Sequence, residues 1–263
     1  ITENTGQRRT DVLDVVALRS ILDRHGDYIK LTRDGEKPDR PPRDVLDSML
    51  ARQETPQAPP LQRIVHSPVV RPDGSTVSVE GYDPTSELYV DLNGLEIPSI
   101  PDDPSPEDIQ SAKKLIMVEL LGDFPFAKDS DKAHAVALLM NPIVRSMVNG
   151  PTPLYLIDSP TPGTGKGLVA EVTGIIATGA SPFVMTEAND QDEWRKRITS
   201  QLLLSPTIVL IDNIRRRLDS SALAAALTTQ SWKDRMLGFS RMVSIPITCT
   251  WIATGNNAAL SNE

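Results

Sequence analysis

Leu154-Tyr155-Leu156-Ile157-Asp158-Ser159-Pro160-Thr161-Pro162-Gly163-Thr164-Gly165-Lys166-Gly167 runs from an apolar strand pattern into a loop rich in Gly and Pro, and Leu168-Val169-Ala170-Glu171-Val172 continues it as the start of a helix. A loop that joins a buried strand to a helix in this way can hold phosphate. Gly163 and Gly165 let backbone N–H groups turn inward around anionic oxygens, and the helix N-terminus adds partial positive charge. Lys166 is placed to reach the β- and γ-phosphates of a nucleotide, and Thr161, Pro162, Gly163, Thr164, Gly165 and Gly167 complete the cradle. Without the flanking strand and helix, the same residues would make an ordinary turn with a solvated lysine.

Two positions depart from the pattern G-x-x-x-x-G-K-[S/T]. Pro160 stands at the first glycine, a position that mostly shapes the turn. Gly167 stands where a Ser or Thr hydroxyl normally reaches Mg2+, so a metal there must take an added water or another ligand. Nucleotide binding is expected to survive both changes; hydrolysis is the step they put at issue.

Downstream, Ile208-Val209-Leu210-Ile211 is an apolar strand that ends in Asp212-Asn213. Such a strand end is common in α/β folds, but placed 46 residues after Lys166 the Asp212 carboxylate suits the magnesium shell of the same site. Asn213 follows, where many ATPases of this kind carry a glutamate; an amide can position a water but cannot take its proton at neutral pH. Glu187, directly after Phe183-Val184-Met185-Thr186, is the candidate substitute base. Adjacent strands lie only about 4.8 Å apart and their carboxyl ends open onto one crevice. Glu187 can equally be a structural carboxylate, and Glu193, at the start of a helical pattern, suits charge stabilisation of that helix. A fourth strand, Thr250-Trp251-Ile252-Ala253-Thr254, ends in Gly255-Asn256-Asn257. There Asn256 can hydrogen-bond the γ-phosphate or an attacking water, although Asn-Asn is also a common turn.

Strand patterns at 153–158, 182–186, 207–212 and 247–254, with helical patterns between them, give the layout of a parallel α/β sheet flanked by helices. Upstream, Ser105-Pro106-Glu107-Asp108 supplies an N-cap, a proline at the first helical position and acids in the first turn, and predicts a helix to about residue 121. A second helical pattern over 131–148 stops at Asn149-Gly150. Prolines cluster over 37–61 and 97–106 and mark irregular segments. Helical spacing over 12–22, the strand-like Tyr28-Ile29-Lys30-Leu31 and a hairpin turn at Arg71-Pro72-Asp73-Gly74-Ser75 read as a small α+β module. The expected organisation is an α+β accessory module over 1–104, a helical linker over 105–150 and a phosphate-binding core over 151–263. The chain begins with Ile and ends just after a motif strand, as a piece of a longer protein would.

The net charge is -8 and the pI about 5.0, which excludes the basic footprint of a dedicated nucleic-acid binder and leaves only local DNA contact. No apolar run approaches the ~18 residues that cross a bilayer, and the N-terminus lacks a signal-peptide layout, so a cytoplasmic location without a membrane partner is expected. The single cysteine, Cys249, rules out a disulfide framework or a cysteine metal cluster and reads as a buried small hydrophobe.

Pro162-Gly163-Thr164-Gly165-Lys166, the strand end Leu210-Ile211-Asp212-Asn213 and the strand end Ala253-Thr254-Gly255-Asn256-Asn257, in that order, resemble an AAA+ ATPase. More narrowly they are similar to the helicase portion of phage, plasmid and integrated-element primase-helicases, related to superfamily 3 helicases. Motif-level similarity covers 153–257. Pro41-Pro42-Arg43-Asp44-Val45 and Val79-Glu80-Gly81-Tyr82-Asp83 carry a fainter likeness, over about 41–92, to the accessory region that precedes the motor in those proteins. The resemblance implies a P-loop NTPase fold, ATP and Mg2+ as ligands, and a ring-shaped, usually hexameric, motor acting on single-stranded or forked DNA. It gives Lys166, Asp212 and Asn256 the Walker A lysine, Walker B aspartate and sensor-1 roles. A full core of that type has a fifth strand, a lid and an arginine finger after sensor 1, which this chain is expected to lack.

Between 213 and 246, Arg215, Arg216, Arg217, Lys233, Arg235 and Arg241 outnumber Asp219 and Asp234, the best local footprint for a nucleic-acid backbone. Arg235-Met236-Leu237-Gly238-Phe239-Ser240-Arg241-Met242-Val243 has a Gly between short apolar runs, as a hairpin does. The resemblance places such a hairpin in a central channel, where Arg235 or Arg241 touches phosphates and Phe239 stacks on a base. A solvated basic surface with Phe239 in the core fits the same residues, and one of the arginines can instead contact ATP on a neighbouring subunit. Three activities remain: a DNA helicase or translocase, a nucleotide-binding module that holds DNA and hydrolyses slowly or not at all, and a small-molecule kinase, against which Asn256 and the lack of an Arg-rich lid count.

Overall fold

The computed structural model of the chain describes residues 2–4, 7–10, 13–51, 59–235 and 242–261. They fall into two compact units, one of Asp11–Pro60 and one of Ile1–Thr10 with Leu61–Glu263.

Two short strands, β1 (Thr2–Asn4) and β2 (Gln7–Arg9), form an antiparallel pair in the larger unit. The smaller unit holds α1 (Val15–His25), the hairpin of β3 (Tyr28–Thr32) and β4 (Gly35–Asp39), and α2 (Arg43–Ala51). Asp14 caps α1, its Oδ1 accepting the Ala17 N–H at 2.7 Å. The helix and strand expected near 12–22 and 28–31 are both present.

In the larger unit, β5 (Arg63–Val65), β6 (Val69–Val70), β7 (Thr76–Val77), β8 (Gly81–Asp83) and β9 (Leu88–Val90) build two small sheets. β6 pairs with β7 across the expected Pro-Asp-Gly turn, where the Arg71 N–H donates to Ser75 O at 2.8 Å and Gly74 takes a φ of 88°. The Arg71 guanidinium donates to both Asp83 oxygens at 2.9 and 3.1 Å, and this pairing holds the carboxyl well below the usual carboxylate range. A group so shifted stabilises the fold fully above its ordinary value of 3.8 and loses that contribution as the pH falls below it. Arg71→Ala should therefore destabilise the protein at pH 7, and its gap from wild type in urea melts should narrow at pH 3. An equal gap at both pH values would refute the linkage.

The predicted capping box opens α3 (Pro106–Lys114): Ser105 Oγ accepts the Asp108 N–H at 3.1 Å and Asp108 Oδ2 accepts the Ser105 N–H at 3.0 Å. α3 runs into a π-helical segment, Leu115–Leu120, just before Gly122, where a Cβ would lie 2.2 Å from Val118 O. α4 (Asp129–Val144) follows and ends in a 3-10 turn over Arg145–Met147.

The remaining elements are β10 (Leu154–Ser159), α5 (Lys166–Thr178), β11 (Phe183–Thr186), α6 (Gln191–Leu202), β12 (Ile208–Ile214), α7 (Ser221–Thr228), β13 (Ser231–Arg235), β14 (Met242–Pro246) and β15 (Thr250–Asn256). β10, β15, β12 and β11, in that spatial order, form a four-stranded sheet in which every pairing is parallel. The four expected strands are these, and β11 lies beside the Asp212 strand as anticipated. A parallel strand flanked by helices is covered on both faces, so its apolar residues run without interruption. In β12, Val209 and Ile211 join one core layer with residues of α6, α7 and the β13–β14 hairpin, while Ile208 and Leu210 join another with α5 and Leu138. β15 divides the same way, Trp251 and Ala253 going to the first layer and Ile252 to the second. Trp194 and Trp232 also belong to the first layer.

The hairpin expected around 235–243 is formed by the antiparallel pair β13–β14; Phe239 and Arg241 lie outside the described residues. Cys249 is buried as expected, and burial pushes its thiol up to about 12. Nearby, Arg145 donates to Val148 O, Gly150 O and Ile247 O at 2.9 Å each, and Arg63 to Thr248 O at 3.3 Å. Burial, with the charge of Arg145 beside it, lowers Arg63 to about 10. The Arg63 bond and that from Ser67 Oγ to Ala177 O at 2.9 Å tie the segment of the small sheets to the approach of β15 and to α5. Among the described residues no helix is long and apolar enough to cross a membrane.

Candidate phosphate-binding cleft

At the carboxyl ends of the parallel strands, residues 162–167 together with Asp212, Asn213, Thr254, Gly255 and Asn256 line an open cleft of about 280 Å3. The fold thus brings together every expected loop residue except Thr161, and with them Asp212, Asn213 and Asn256.

The loop is held from within. Ser159 Oγ donates to Thr161 O at 2.8 Å and accepts from Thr164 Oγ1 at 2.8 Å. Gly163 and Gly165 take φ of 78° and 87°, a region that strains a side chain. A Cβ on Gly165 would also lie 3.4 Å from the Phe124 ring. Lys166 Nζ folds back to donate to Thr161 O at 3.0 Å and Thr164 Oγ1 at 3.2 Å. Gly165 is the N-cap of α5 and supplies no side-chain acceptor, so the first-turn N–H groups have neither an intrahelical partner nor a side-chain cap at that position. They are donors for an anion. Apart from its chain neighbours and the backbone of its own helix, no atom of the described residues lies within 4 Å of where a Cβ on Gly167 would be, so packing does not dictate the missing hydroxyl.

The opposite wall depends on a bulge. Ile211 pairs with Ala253 and Ile214 with Gly255, so β12 spends one extra residue against β15. Asn213 takes a φ of 59° there, and a bulge of this kind re-aims strand-end side chains. Thr254 repairs the interrupted ladder: its Oγ1 accepts the Asn213 N–H at 2.8 Å and donates to Asp212 Oδ1 at 2.5 Å. One hydroxyl therefore fixes both the main chain of Asn213 and the carboxylate of Asp212. The orientation of the Asn213 amide is assigned from its neighbours: with the oxygen turned to the Arg215 guanidinium, Oδ1 accepts from Nη2 at 3.0 Å and Nε at 3.1 Å.

Asn256 lines the cleft from the end of β15, whereas Asn257 belongs to the turn behind it. The Asn257 N–H donates to Ser159 O and its Nδ2 to Pro160 O, both at 3.3 Å. Asp158 Oδ1 accepts the Ala258 N–H at 3.0 Å and completes the tie between the two strand ends.

Glu187 is not brought to the cleft. Its Oε2 accepts the N–H groups of Arg215 at 3.1 Å and Arg216 at 3.3 Å, so the carboxylate secures the segment leaving β12. Where a substitute base was expected, the structure has this main-chain anchor. Glu193 pairs with Arg197 at 2.9 Å in the first turns of α6, the helix-stabilising place anticipated for it. Arg235 is exposed at the end of β13, and its N–H donates to Asp234 Oδ1 at 2.7 Å. Asp234 is buried and bonded also to Arg195 and to Thr199 Oγ1.

Thr254 and the pairing of Arg215 with Asn213 were not singled out in the sequence. A signal for Thr254 exists: it is the hydroxyl that follows the apolar run Trp251-Ile252-Ala253 and directly precedes a glycine. Comparison with protein-family models gives no match for this chain, and comparison with curated proteins gives none either.

Proposed function

We propose that the cleft binds ATP with Mg2+, and that the chain is the AAA+-like, ATP-binding part of a DNA motor of the primase-helicase kind its motifs resemble. The observation that carries this reading is the meeting of three sequence-distant segments, 162–167, 212–213 and 254–256, at the carboxyl ends of one parallel sheet, where such folds bind ligands. The first-turn N–H groups of α5 and the Lys166 ammonium supply donors and charge for phosphate. Lys166 would exchange two neutral partners for an anionic one, a stronger bond. Asp212, steadied by Thr254, is the carboxylate that would hold Mg2+, whose other ligands in such sites are phosphate oxygens and water. When bound, the ion neutralises phosphate charge. In this reading Asn256, which lines the cleft, takes the sensor role. Self-association into a ring, usually hexameric, and contact with single-stranded or forked DNA through Arg235 and its hairpin extend the reading from the resemblance.

A second reading, a module that binds nucleotide to assemble or hold DNA and hydrolyses it slowly or not at all, is favoured by one observation. Among the described residues that line the cleft, Asp212 is the only carboxylate, and Glu187 is engaged elsewhere. ATP turnover measured with and without single-stranded DNA separates the two. A motor turns over and is stimulated by DNA; a holding module binds ATP and stays at background in both. Failure to bind nucleotide at all would refute both readings.

A further inference from the structure

A carboxamide oxygen carries two lone pairs. In Asn213, with the amide oriented as its neighbours assign it, two hydrogen bonds from one partner, Arg215, meet that oxygen, at 3.0 Å from Nη2 and 3.1 Å from Nε. The amide therefore has no acceptor capacity left for a water, and what it keeps is its pair of Nδ2 donors. Both ends of this arrangement are anchored. Thr254 Oγ1 holds the Asn213 N–H at 2.8 Å, and Glu187 holds the Arg215 N–H at 3.1 Å. Asn213 itself lines the cleft, on the wall facing the phosphate loop.

We propose that Arg215 is a positioning residue that fixes Asn213 as a hydrogen-bond donor to the outermost phosphate of the bound nucleotide, so that this wall favours a triphosphate over a diphosphate and does not orient an attacking water. The inference rests on the nucleotide-binding reading above. An amide donor to an anionic oxygen makes a charge-assisted bond, and a diphosphate has no γ-phosphate to receive it. An Asp at this position would keep the guanidinium pairing but offer no donor and bring a negative charge towards the phosphate.

The test is calorimetric binding of ATP and ADP, each with Mg2+, to the full chain as wild type and as Arg215→Ala, Asn213→Ala, Asn213→Asp, the double variant Arg215→Ala/Asn213→Ala, and Lys166→Ala, with thermal melts to show that each is folded. Arg215→Ala and Asn213→Ala should each weaken ATP about tenfold and leave ADP within about twofold, the loss expected for one charge-assisted bond. Asn213→Asp should weaken ATP further. The double variant should be no weaker than Asn213→Ala alone, because the arginine acts through the amide. An added loss in the double variant would mean that the guanidinium touches the ligand directly, and would overturn the proposal. An unchanged ATP-to-ADP ratio in both single alanine variants overturns it as well, while loss of both nucleotides in Lys166→Ala would leave the nucleotide-binding reading standing. If the wild type binds neither nucleotide, that reading fails and takes the inference with it.

Discussion

Lys166→Ala should weaken ATP binding by about a hundredfold or more, with the melting temperature staying close to that of wild type. The two halves of that result have different origins. An ammonium on a phosphate makes charge-assisted bonds of roughly 1.5–3 kcal/mol each, and about 2.7 kcal/mol is a hundredfold in affinity. Against the fold, the side chain makes two bonds among the described residues, both to neutral oxygens, Thr161 O and Thr164 Oγ1, at a partly exposed site. Alanine is moreover a good residue for the first turn of a helix. Calorimetry and a thermal scan on the same samples check both halves. A loss of affinity below about threefold, less than a single charged bond is worth, would show that the loop does not hold phosphate.

Trp251→Ala should cost about 3–5 kcal/mol of stability, the usual range for truncating a large buried ring. In a chain of this size that lowers the melting temperature by on the order of 10 °C. Trp251 is 1% exposed in β15, the strand between β10 and β12, where collapse of its neighbours into the gap would pull on both pairings. Its Nε1 has no hydrogen-bond partner among the described residues, and a buried donor left so costs about 1–3 kcal/mol. Trp251→Phe removes that donor together with part of the ring, so its two effects oppose each other and the variant should stay within about 1.5 kcal/mol of wild type. Equal losses for Ala and Phe in urea melts would show that the indole N–H is satisfied after all.

The core strands are legible in the sequence because burial on both faces removes the alternation that polar residues would bring. Ile208-Val209-Leu210-Ile211 has no interruption and needs no partner to be recognised. The start of α3 is legible for a different reason, since its capping box closes within four residues, Ser105 to Asp108. The phosphate loop shares that local character. What the sequence does not carry is the direction in which strand-end side chains turn, because distant segments decide it. Glu187 ends the strand next to that of Asp212, as a base would, yet two main-chain N–H groups 28 and 29 residues downstream hold its carboxylate. The bond between Thr254 and Asp212 spans 42 residues. The bulge at Asp212–Asn213 carries no glycine to announce it, because asparagine tolerates the left-handed region better than most residues. Arg215 counts as one charge in a basic run when read along the chain, and only the bulge turns it into a partner of the cleft wall.

Trp194, Trp232 and Trp251 are all the tryptophans of the chain, and all three sit in the layer shared by α6, β13 and the sheet. Intrinsic fluorescence is therefore a one-sided reporter. Emission excited selectively from indole follows the opening of that layer during a denaturant titration and has no reporter in residues 11–60, whose only Phe, Tyr or Trp ring is Tyr28. Circular dichroism also registers α1 and α2, so the two optical signals recorded on one sample time the melting of the two units separately.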